Sequence, residues 1–194
     1  MNVIEPARKI LPGIILAILF TFHLLPYVIF FRLENCKCQS LDWMKNLNKT
    51  ETKNTLRVLL DRDYNYTELL TWEHNRLNYT TGKITRYTDP LQILSYGKGR
   101  CQEFSILYVA LCLASGYSSR LVIDVFGDHT WAEIKLDGIW VHVDPSESRI
   151  ADPYMYEKDW GKHILLVYAF ADGSYEDVTT NYATRKQNYY QIIW

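Results

Sequence analysis

The chain has 194 residues, a formal net charge of −1 and 48% hydrophobic residues. This length suits one ordinary domain with an appendage, and an aromatic content of 14% indicates a packed core rather than a disordered chain. The near-zero charge and the lack of a basic run give no reason to expect a nucleic-acid partner. No metal or organic cofactor is expected. The four cysteines form no CxxC pair that could hold zinc, and they suggest no disulfide framework.

A long apolar stretch, ILPGIILAILFTFHLLPYVIFF, runs from Ile10 to Phe31. Its 22 residues include no Asp, Glu, Lys or Arg, and this length lets a helix cross a hydrocarbon core of about 30 Å. We therefore predict one transmembrane span within an N-terminal membrane anchor at residues 1–32. A buried core helix and a removable signal peptide are the alternatives, although no small-residue cleavage pattern follows Phe31.

The side of the membrane is only weakly indicated. Basic residues flank the apolar stretch on both sides, so the positive-inside rule gives little direction. Three Asn-x-Thr sequons follow the stretch, at Asn48, Asn65 and Asn78. Since glycosylation of these asparagines requires an external location, we expect a single-pass membrane protein with an extracytoplasmic domain.

Residues 33–54 are polar and mixed, and they predict a linker between the anchor and a folded domain at residues 55–194. Cys36 and Cys38 lie in this linker. Lipidation, a disulfide and two unmodified thiols all stay open for this pair.

The folded domain shows helical patterns first and strand patterns afterwards. Apolar spacing predicts helices over residues 56–60, 69–77, 90–95 and 101–115. Segments rich in β-branched and aromatic residues predict strands over residues 120–126, 130–136, 139–143, 164–170 and 175–179. Asp137-Gly138 is a strong signal for a two-residue hairpin turn. Helices followed by an antiparallel meander predict an α+β domain.

One cysteine stands where backbone groups favour a thiolate. Cys101 follows the glycine-flanked loop Gly97–Gly99 and begins a predicted helix, whose free N–H groups and dipole stabilise negative charge. Cys112 lies in the middle of the same helix among Leu and Ala, and it is better interpreted as a buried, inert thiol. Cys101 is therefore the candidate nucleophile.

A thiolate nucleophile needs a proton acceptor, and that acceptor needs a group to orient it. Counted from a turn at Asp137-Gly138, His129 lies eight residues before the turn and Asp144 six residues after it. A hairpin at this turn brings the two side chains to the same sheet edge. We predict a His129–Asp144 pair that faces Cys101.

Two other polar residues have plainer interpretations. His142 alternates with two valines and is interpreted as a packed strand residue. Glu103 lies one turn into the helix of Cys101, and its spacing fits a substrate contact and a solvated side chain equally well.

Three boxes resemble the Cys, His and Asp boxes of the transglutaminase-like superfamily in order and spacing: GRCQEF (99–104), DHTWAEI (128–134) and HVDPS (142–146). Within this superfamily the likeness is to peptide:N-glycanases, the amidases that remove N-glycans from misfolded glycoproteins. The segment YMYEKDWGKHILLVYAFADGSYEDVT (154–179) resembles the region after their catalytic Asp.

The chain departs from the glycanase pattern in three respects. Such glycanases carry a pair of CxxC zinc motifs before the nucleophile, and this sequence has none. Gln102 follows the cysteine where glycine is usual, and a membrane span is foreign to cytosolic glycanases. These departures leave open a different substrate for the same chemistry.

The resemblance implies a papain-like core in which Cys101 attacks an amide carbonyl to form a thioester, while His129 transfers protons and Asp144 holds its ring. It also implies an oxyanion donor besides the backbone N–H of Cys101, and Trp72 in the upstream helix is the candidate. The expected function is a thiol-dependent hydrolase of amides in proteins, peptides or glycoproteins. A protein-glutamine transferase, a cysteine protease and a non-catalytic membrane-tethered binding module stay open as alternatives.

Overall fold

The computed structural model describes residues 24–162 and 164–184, which contain seven helices and eight strands. The helices are α1 (Leu25–Leu47), α2 (Thr50–Leu59), α3 (Tyr66–His74), α4 (Pro90–Tyr96), α5 (Cys101–Ala114), α6 (Met155–Lys158) and α7 (Thr179–Tyr182). The strands are β1 (Asn78–Tyr79), β2 (Lys98–Gly99), β3 (Ser119–Asp124), β4 (Thr130–Leu136), β5 (Ile139–Asp144), β6 (Arg149–Ile150), β7 (Val167–Ala171) and β8 (Ser174–Asp177). Of the described residues, 24–36 belong to one compact unit and the rest to a second, which contains all the strands.

The described part of the predicted membrane span is short and runs into charged sequence. Helix α1 begins at Leu25 and so contains only seven residues of the span, whereas residues 10–23 lie outside the described residues. Five charged residues follow between Arg32 and Lys45 of the same helix. Over the two described ranges, every helix is too short or too polar to cross a bilayer. This finding contradicts the predicted single-pass localisation with an extracytoplasmic domain.

One of the sequons that suggested an external domain has a structural role. The side-chain oxygen of Asn65 accepts hydrogen bonds from the backbone N–H groups of Thr67 at 3.0 Å and Glu68 at 2.9 Å. The carboxylate of Glu68 accepts a hydrogen bond from the backbone N–H of Asn65 at 2.9 Å in return. This capping box begins α3, so helix capping explains the asparagine at this position.

The residues predicted as a linker are helical. They include the C-terminal part of α1 and the start of α2, and Met44 and Leu47, one turn apart, are fully buried. Because side chains three residues apart share a helix face, this mostly polar segment still buries an apolar stripe. The division of the chain at residues 32 and 54 stays a prediction.

Six strands form one antiparallel sheet in the order β6-β5-β4-β3-β7-β8. Strands β3 to β6 follow one another as a meander, and the β4–β5 hairpin turns at Asp137-Gly138, where φ is 50° and 85°. Positive φ at both positions is what a two-residue turn requires and what Asp-Gly tolerates. The predicted meander does not continue to the end, because β7 crosses over to pair with β3.

Helix α5 lies at the centre of the fold. Twelve of its fourteen residues are buried, as expected for a helix that is apolar on all faces. Strands β3 and β4 pack against it, and so do helices α2, α3 and α4. The side chain of Arg57 on α2 donates two hydrogen bonds, of 3.0 and 2.8 Å, to the carbonyl oxygen of Ala114 at its last turn. This arrangement confirms the predicted α+β class.

A test of this central position compares a buried and an exposed aliphatic residue. Leu107 of α5 is fully buried, whereas Val58 of α2 is 83% exposed. We expect Leu107→Ala to lower the free energy of unfolding by about 2–5 kcal/mol through lost contacts and a residual cavity. Val58→Ala should cost less than about 0.5 kcal/mol. Urea denaturation measures both, and equal losses would contradict a core built around α5.

Candidate active site

Cys101 is the first residue of α5, and a tight approach of the chain places it there. Gly99 lies so close to the helix that an added Cβ would sit 2.7 Å from the Cβ of Glu103, so this position requires glycine. The backbone N–H of Arg100 donates to the carboxylate of Glu103 at 3.0 Å and thereby caps the helix. Cys101 is 9% exposed, and its Sγ lies 3.5 Å from the backbone oxygen of Asp128.

The turn before β4 brings His129 towards the cysteine. The backbone N–H of Gly127 donates to the side chain of Asp124 at 2.9 Å, which closes the connection between β3 and β4. A Cβ at Gly127 would lie 2.0 Å from the same carboxylate, so a side chain here would displace the carboxylate that closes the turn. His129 follows directly and is 8% exposed.

The register of the β4–β5 hairpin sets the position of Asp144 relative to His129. Ala132 pairs with Val143, so the ladder brings Asp144 level with Trp131, two positions from His129. Residues two positions apart on one strand lie on the same face, and such diagonal neighbours are within reach of long side chains. The Nε2 atom of His129 lies 2.6 Å from Oδ2 of Asp144, as the count from the turn predicted.

The carboxylate of Asp144 is fully buried and receives four hydrogen bonds. Oδ2 accepts from His129 Nε2 at 2.6 Å and from the Tyr156 hydroxyl at 3.0 Å. Oδ1 accepts from the Ser146 hydroxyl at 2.8 Å and from the backbone N–H of Glu147 at 3.2 Å. Burial alone would raise the pKa of Asp144, but the hydrogen bond and charge of His129, with the Ser146 and Tyr156 donors, lower it below its ordinary value. The carboxylate therefore stays ionised and acts only as an acceptor.

This pairing decides which nitrogen of His129 is available to Cys101. Because Asp144 is an acceptor, His129 must donate from Nε2, and Nδ1 is left to exchange a proton with the thiol. Burial lowers the pKa of His129, but the hydrogen bonds and charges of Asp144 and Cys101 outweigh it and raise that pKa to about 9. His129 is therefore positively charged at neutral pH beside the thiol.

Aromatic side chains surround the histidine ring. Its centroid lies 5.8 Å from Trp131, 5.2 Å from Tyr156 and 4.8 Å from Trp160. Lys162 follows this group and forms an ion pair of 2.7 Å with Asp128. The sequence pattern did not identify Tyr156 or Trp160 as site residues, since neither shows a spacing that relates it to the boxes.

Glu103, the predicted substrate contact, is 1% exposed, and both of its carboxylate oxygens have partners within the protein. One carboxylate oxygen caps α5, and the other forms an ion pair of 2.8 Å with Arg86. The structure gives this carboxylate a capping role, so we do not carry it into the proposed site. Arg86 also donates to the side chain of Gln102 at 2.7 Å, which ties the residues before α4 to the first turn of α5.

Trp72, the predicted oxyanion donor, lies in α3 and is 5% exposed. Its indole N–H is buried and has no hydrogen-bond partner in the described chain, and the Arg76 guanidinium lies 3.8 Å from its ring centroid. An unpaired buried donor is costly, and a ligand oxygen bound beside it would remove this cost. Its role as an oxyanion donor stays a prediction.

The structure brings a cysteine at a helix N-terminus and a buried His–Asp pair together in one α+β core. Residues 50–145 match the family model described as the transglutaminase-like superfamily, and the chain belongs to this superfamily. The resemblance inferred from the three boxes is thereby confirmed.

Several curated relatives share the name peptide-N(4)-(N-acetyl-beta-glucosaminyl)asparagine amidase. The protein from Oryza sativa subsp. japonica is 41% identical over 108 residues, which cover 54% of this chain and 24% of the relative. The Drosophila melanogaster protein is 39% identical over 107 residues, 54% of this chain and 17% of the relative. The Homo sapiens protein is 32% identical over 109 residues, 55% of this chain and 16% of the relative. The chain thus spans less than a quarter of these relatives' length.

Solved structures with this fold include a crystal structure of Rad4–Rad23 bound to a 6-4 photoproduct UV lesion. It matches with a TM-score of 0.62 at 14% sequence identity and covers 81% of this chain and 48% of that one. A likeness at this identity shows the fold alone. The expectation of no nucleic-acid partner for this chain stays a prediction.

The ionisation of His129 gives a pH test. Since folding raises its pKa from an ordinary value of about 6.5 to about 9, the charged histidine stabilises the fold fully below pH ~6.5. That stability is lost as the pH rises through the folded-state value. Nitrogen-detected NMR titration should show His129 titrating near pH 9 and at lower pH in Asp144→Asn.

Denaturation at several pH values checks the same point. The free energy of unfolding should fall between pH ~6.5 and ~9 in the wild type and fall less in His129→Gln. The exposed His74 provides the control, because His74→Gln removes an imidazole outside the pair. A His129 that titrates near its ordinary value would contradict the charged state.

Proposed function

We propose that this chain is a thiol-dependent amidase that cleaves the bond between an N-glycan and asparagine in a protein or peptide. The observation that carries the proposal is the convergence of the Cys101 thiol, the charged His129 and the buried Asp144 at the N-terminus of α5. The identity of 32–41% to amidases whose names specify an N-acetylglucosaminyl-asparagine bond supports the substrate class.

The first half of the reaction forms a thioester. His129 holds the proton of Cys101 on Nδ1, and the thiolate attacks the carbonyl carbon of the asparagine side-chain amide. The imidazolium then donates this proton to the amide nitrogen, the C–N bond breaks, and the glycosylamine leaves. Asp144 holds the ring through Nε2 during both transfers, because three further donors fix its oxygens.

The second half consumes water. Neutral His129 takes a proton from a water molecule, the hydroxide attacks the thioester, and the C–S bond breaks. The products are an aspartate side chain and the regenerated pair of Cys101 thiolate and charged His129. Free backbone N–H groups in the first turn of α5 face the negative charge that develops on the carbonyl oxygen, and the unpaired indole N–H of Trp72 is the second candidate donor.

The decisive experiment follows one glycopeptide by mass spectrometry. The full chain is incubated with a peptide that carries N-acetylglucosamine on a single asparagine, and we expect an aspartate peptide and a released sugar amine. Cys101→Ala should abolish turnover, and Asp144→Asn should lower kcat by about 10³-fold or more. Cys112→Ala is the matched control, since it removes a fully buried thiol from the same helix.

The other outcomes separate the alternatives. Incorporation of an amine into a glutamine peptide without conversion of asparagine to aspartate would indicate a transferase. Cleavage of the peptide backbone would indicate a protease. Glycopeptide binding that persists in Cys101→Ala, with no turnover by the wild type, would indicate a binding module.

Alkylation tests the thiol without a substrate. We expect iodoacetamide to label Cys101 faster than Cys112, because His129 lies beside the Cys101 thiol whereas Cys112 is fully buried. His129→Ala should slow the labelling of Cys101 at least tenfold. Cys112 should stay unlabelled, because burial raises its pKa strongly. Peptide mapping distinguishes Cys101 from Cys112. An equal labelling rate of Cys101 in the wild type and in His129→Ala would contradict the proposed pair.

A further inference from the structure

A third polar side chain reaches the carboxylate that orients His129. The hydroxyl of Tyr156, on α6, lies 3.0 Å from Oδ2 of Asp144 and 2.7 Å from Nε2 of His142. The Oδ2 atom is the same oxygen that accepts from His129. A chain of hydrogen bonds therefore links the buried His142 of β5, through Tyr156, to the His129–Asp144 pair.

The protonation states of His142, Tyr156 and Asp144 decide which group donates in each of these hydrogen bonds. Because ionised Asp144 only accepts, the Tyr156 hydroxyl must donate its single proton to Oδ2. His142 must then donate from Nε2 to the hydroxyl oxygen. Burial lowers the pKa of His142 to about 4, so the ring is neutral at physiological pH with its proton on Nε2. Burial, and then the charge of Asp144, raise the pKa of Tyr156 well above its ordinary value, so the hydroxyl keeps its proton.

The ring of Tyr156 is buried within a cluster of aromatic side chains. The side chain is 1% exposed, and its centroid lies 4.5 Å from Trp131, 5.2 Å from His129 and 5.3 Å from Trp160. A phenylalanine would fill the same aromatic cluster. Burying the additional hydroxyl is costly unless it is hydrogen-bonded. Its role is therefore in its hydrogen bonds to Asp144 and His142 and not in packing.

We propose that Tyr156 is a positioning residue: its hydroxyl, oriented by His142, fixes Oδ2 of Asp144 at the angle at which His129 presents Nδ1 to Cys101. This inference rests on the proposed function only for its kinetic readout. Without the hydroxyl, Oδ2 keeps a single donor, and the His142 Nε2–H loses its acceptor. Oδ1 stays held by Ser146 and Glu147, but Oδ2 can then shift together with the imidazole. The thiol therefore meets Nδ1 less often in the reactive geometry.

The test compares Tyr156→Phe with Tyr182→Phe. Tyr182 is the matched control because it is fully buried, lies 4.8 Å from the same Trp131 ring, and donates its hydroxyl to the buried Glu133 at 2.6 Å. Each variant therefore loses one buried hydrogen bond to a carboxylate. Tyr156→Phe also removes the hydrogen-bond acceptor of His142. A purely structural role therefore predicts an equal or larger loss of thermal stability for Tyr156→Phe and no difference at the site.

Proton NMR reports on the site directly. The short hydrogen bond between His129 and Asp144 should give a resolved downfield proton in the full-length wild type. We expect this resonance to shift or disappear in Tyr156→Phe and to stay unchanged in Tyr182→Phe. On the glycopeptide, Tyr156→Phe should lower kcat about 10–100-fold, by analogy with the loss seen when a hydrogen-bond partner of a metal-binding histidine is removed, with KM within about twofold of the wild type. An unchanged resonance and unchanged kcat in Tyr156→Phe, or equal effects in both variants, would overturn the proposal.

A second measurement tests the proposal if Tyr156→Phe does not fold. Replacing Tyr156 by 3-fluorotyrosine keeps the hydroxyl and changes its acidity, so it must shift the downfield proton, whereas the same replacement at Tyr182 must not. An unmoved resonance at this step also overturns the proposal. The NMR signal needs no substrate, so the two proposals can fail separately. If the resonance shifts in Tyr156→Phe but the wild type leaves the glycopeptide intact, the positioning role is upheld and the proposed amidase is rejected.

Discussion

The burial of α5 is the constraint on which the rest of this fold depends. A helix that is apolar on all faces has to be covered on all sides, and here strands β3 and β4 pack against it together with three helices. Its N-terminus must still reach the edge of this arrangement, because the first N–H groups of a helix need partners outside it. The fold therefore leaves a partly accessible helix start beside a sheet edge, and Cys101 occupies that start.

The electrostatics of the site follow from how completely one carboxylate is satisfied. Asp144 is fully buried, which by itself would raise its pKa, but its donors lower that pKa below the ordinary value. Because it stays ionised, it raises the pKa of His129 despite the burial of the ring. The same low-dielectric surroundings keep His142 neutral and Tyr156 protonated. His129, just before β4, and His142, on β5, thus carry different charges, and this difference separates a proton-transferring group from a fixed donor.

The N-terminal region shows where reasoning from composition went wrong. The apolar stretch predicted a membrane span, but the helix that contains its end continues into charged residues and buries Met44 and Leu47. Asn65 likewise matched a glycosylation triplet, although its side chain begins α3. Both signals were local patterns whose meaning depended on what the neighbouring residues pack against.

The sequence alone determined the α+β class, the β4–β5 hairpin and the relation between Cys101, His129 and Asp144. These features depend on local chemistry: helix-start signals, an Asp-Gly turn and the two-residue period of a strand. Only the tertiary structure decided that β7 pairs with β3, that Glu103 caps its own helix, and that Tyr156 reaches Asp144. Those contacts join residues through packing rather than through a periodic pattern, and tertiary packing is set by the whole core at once.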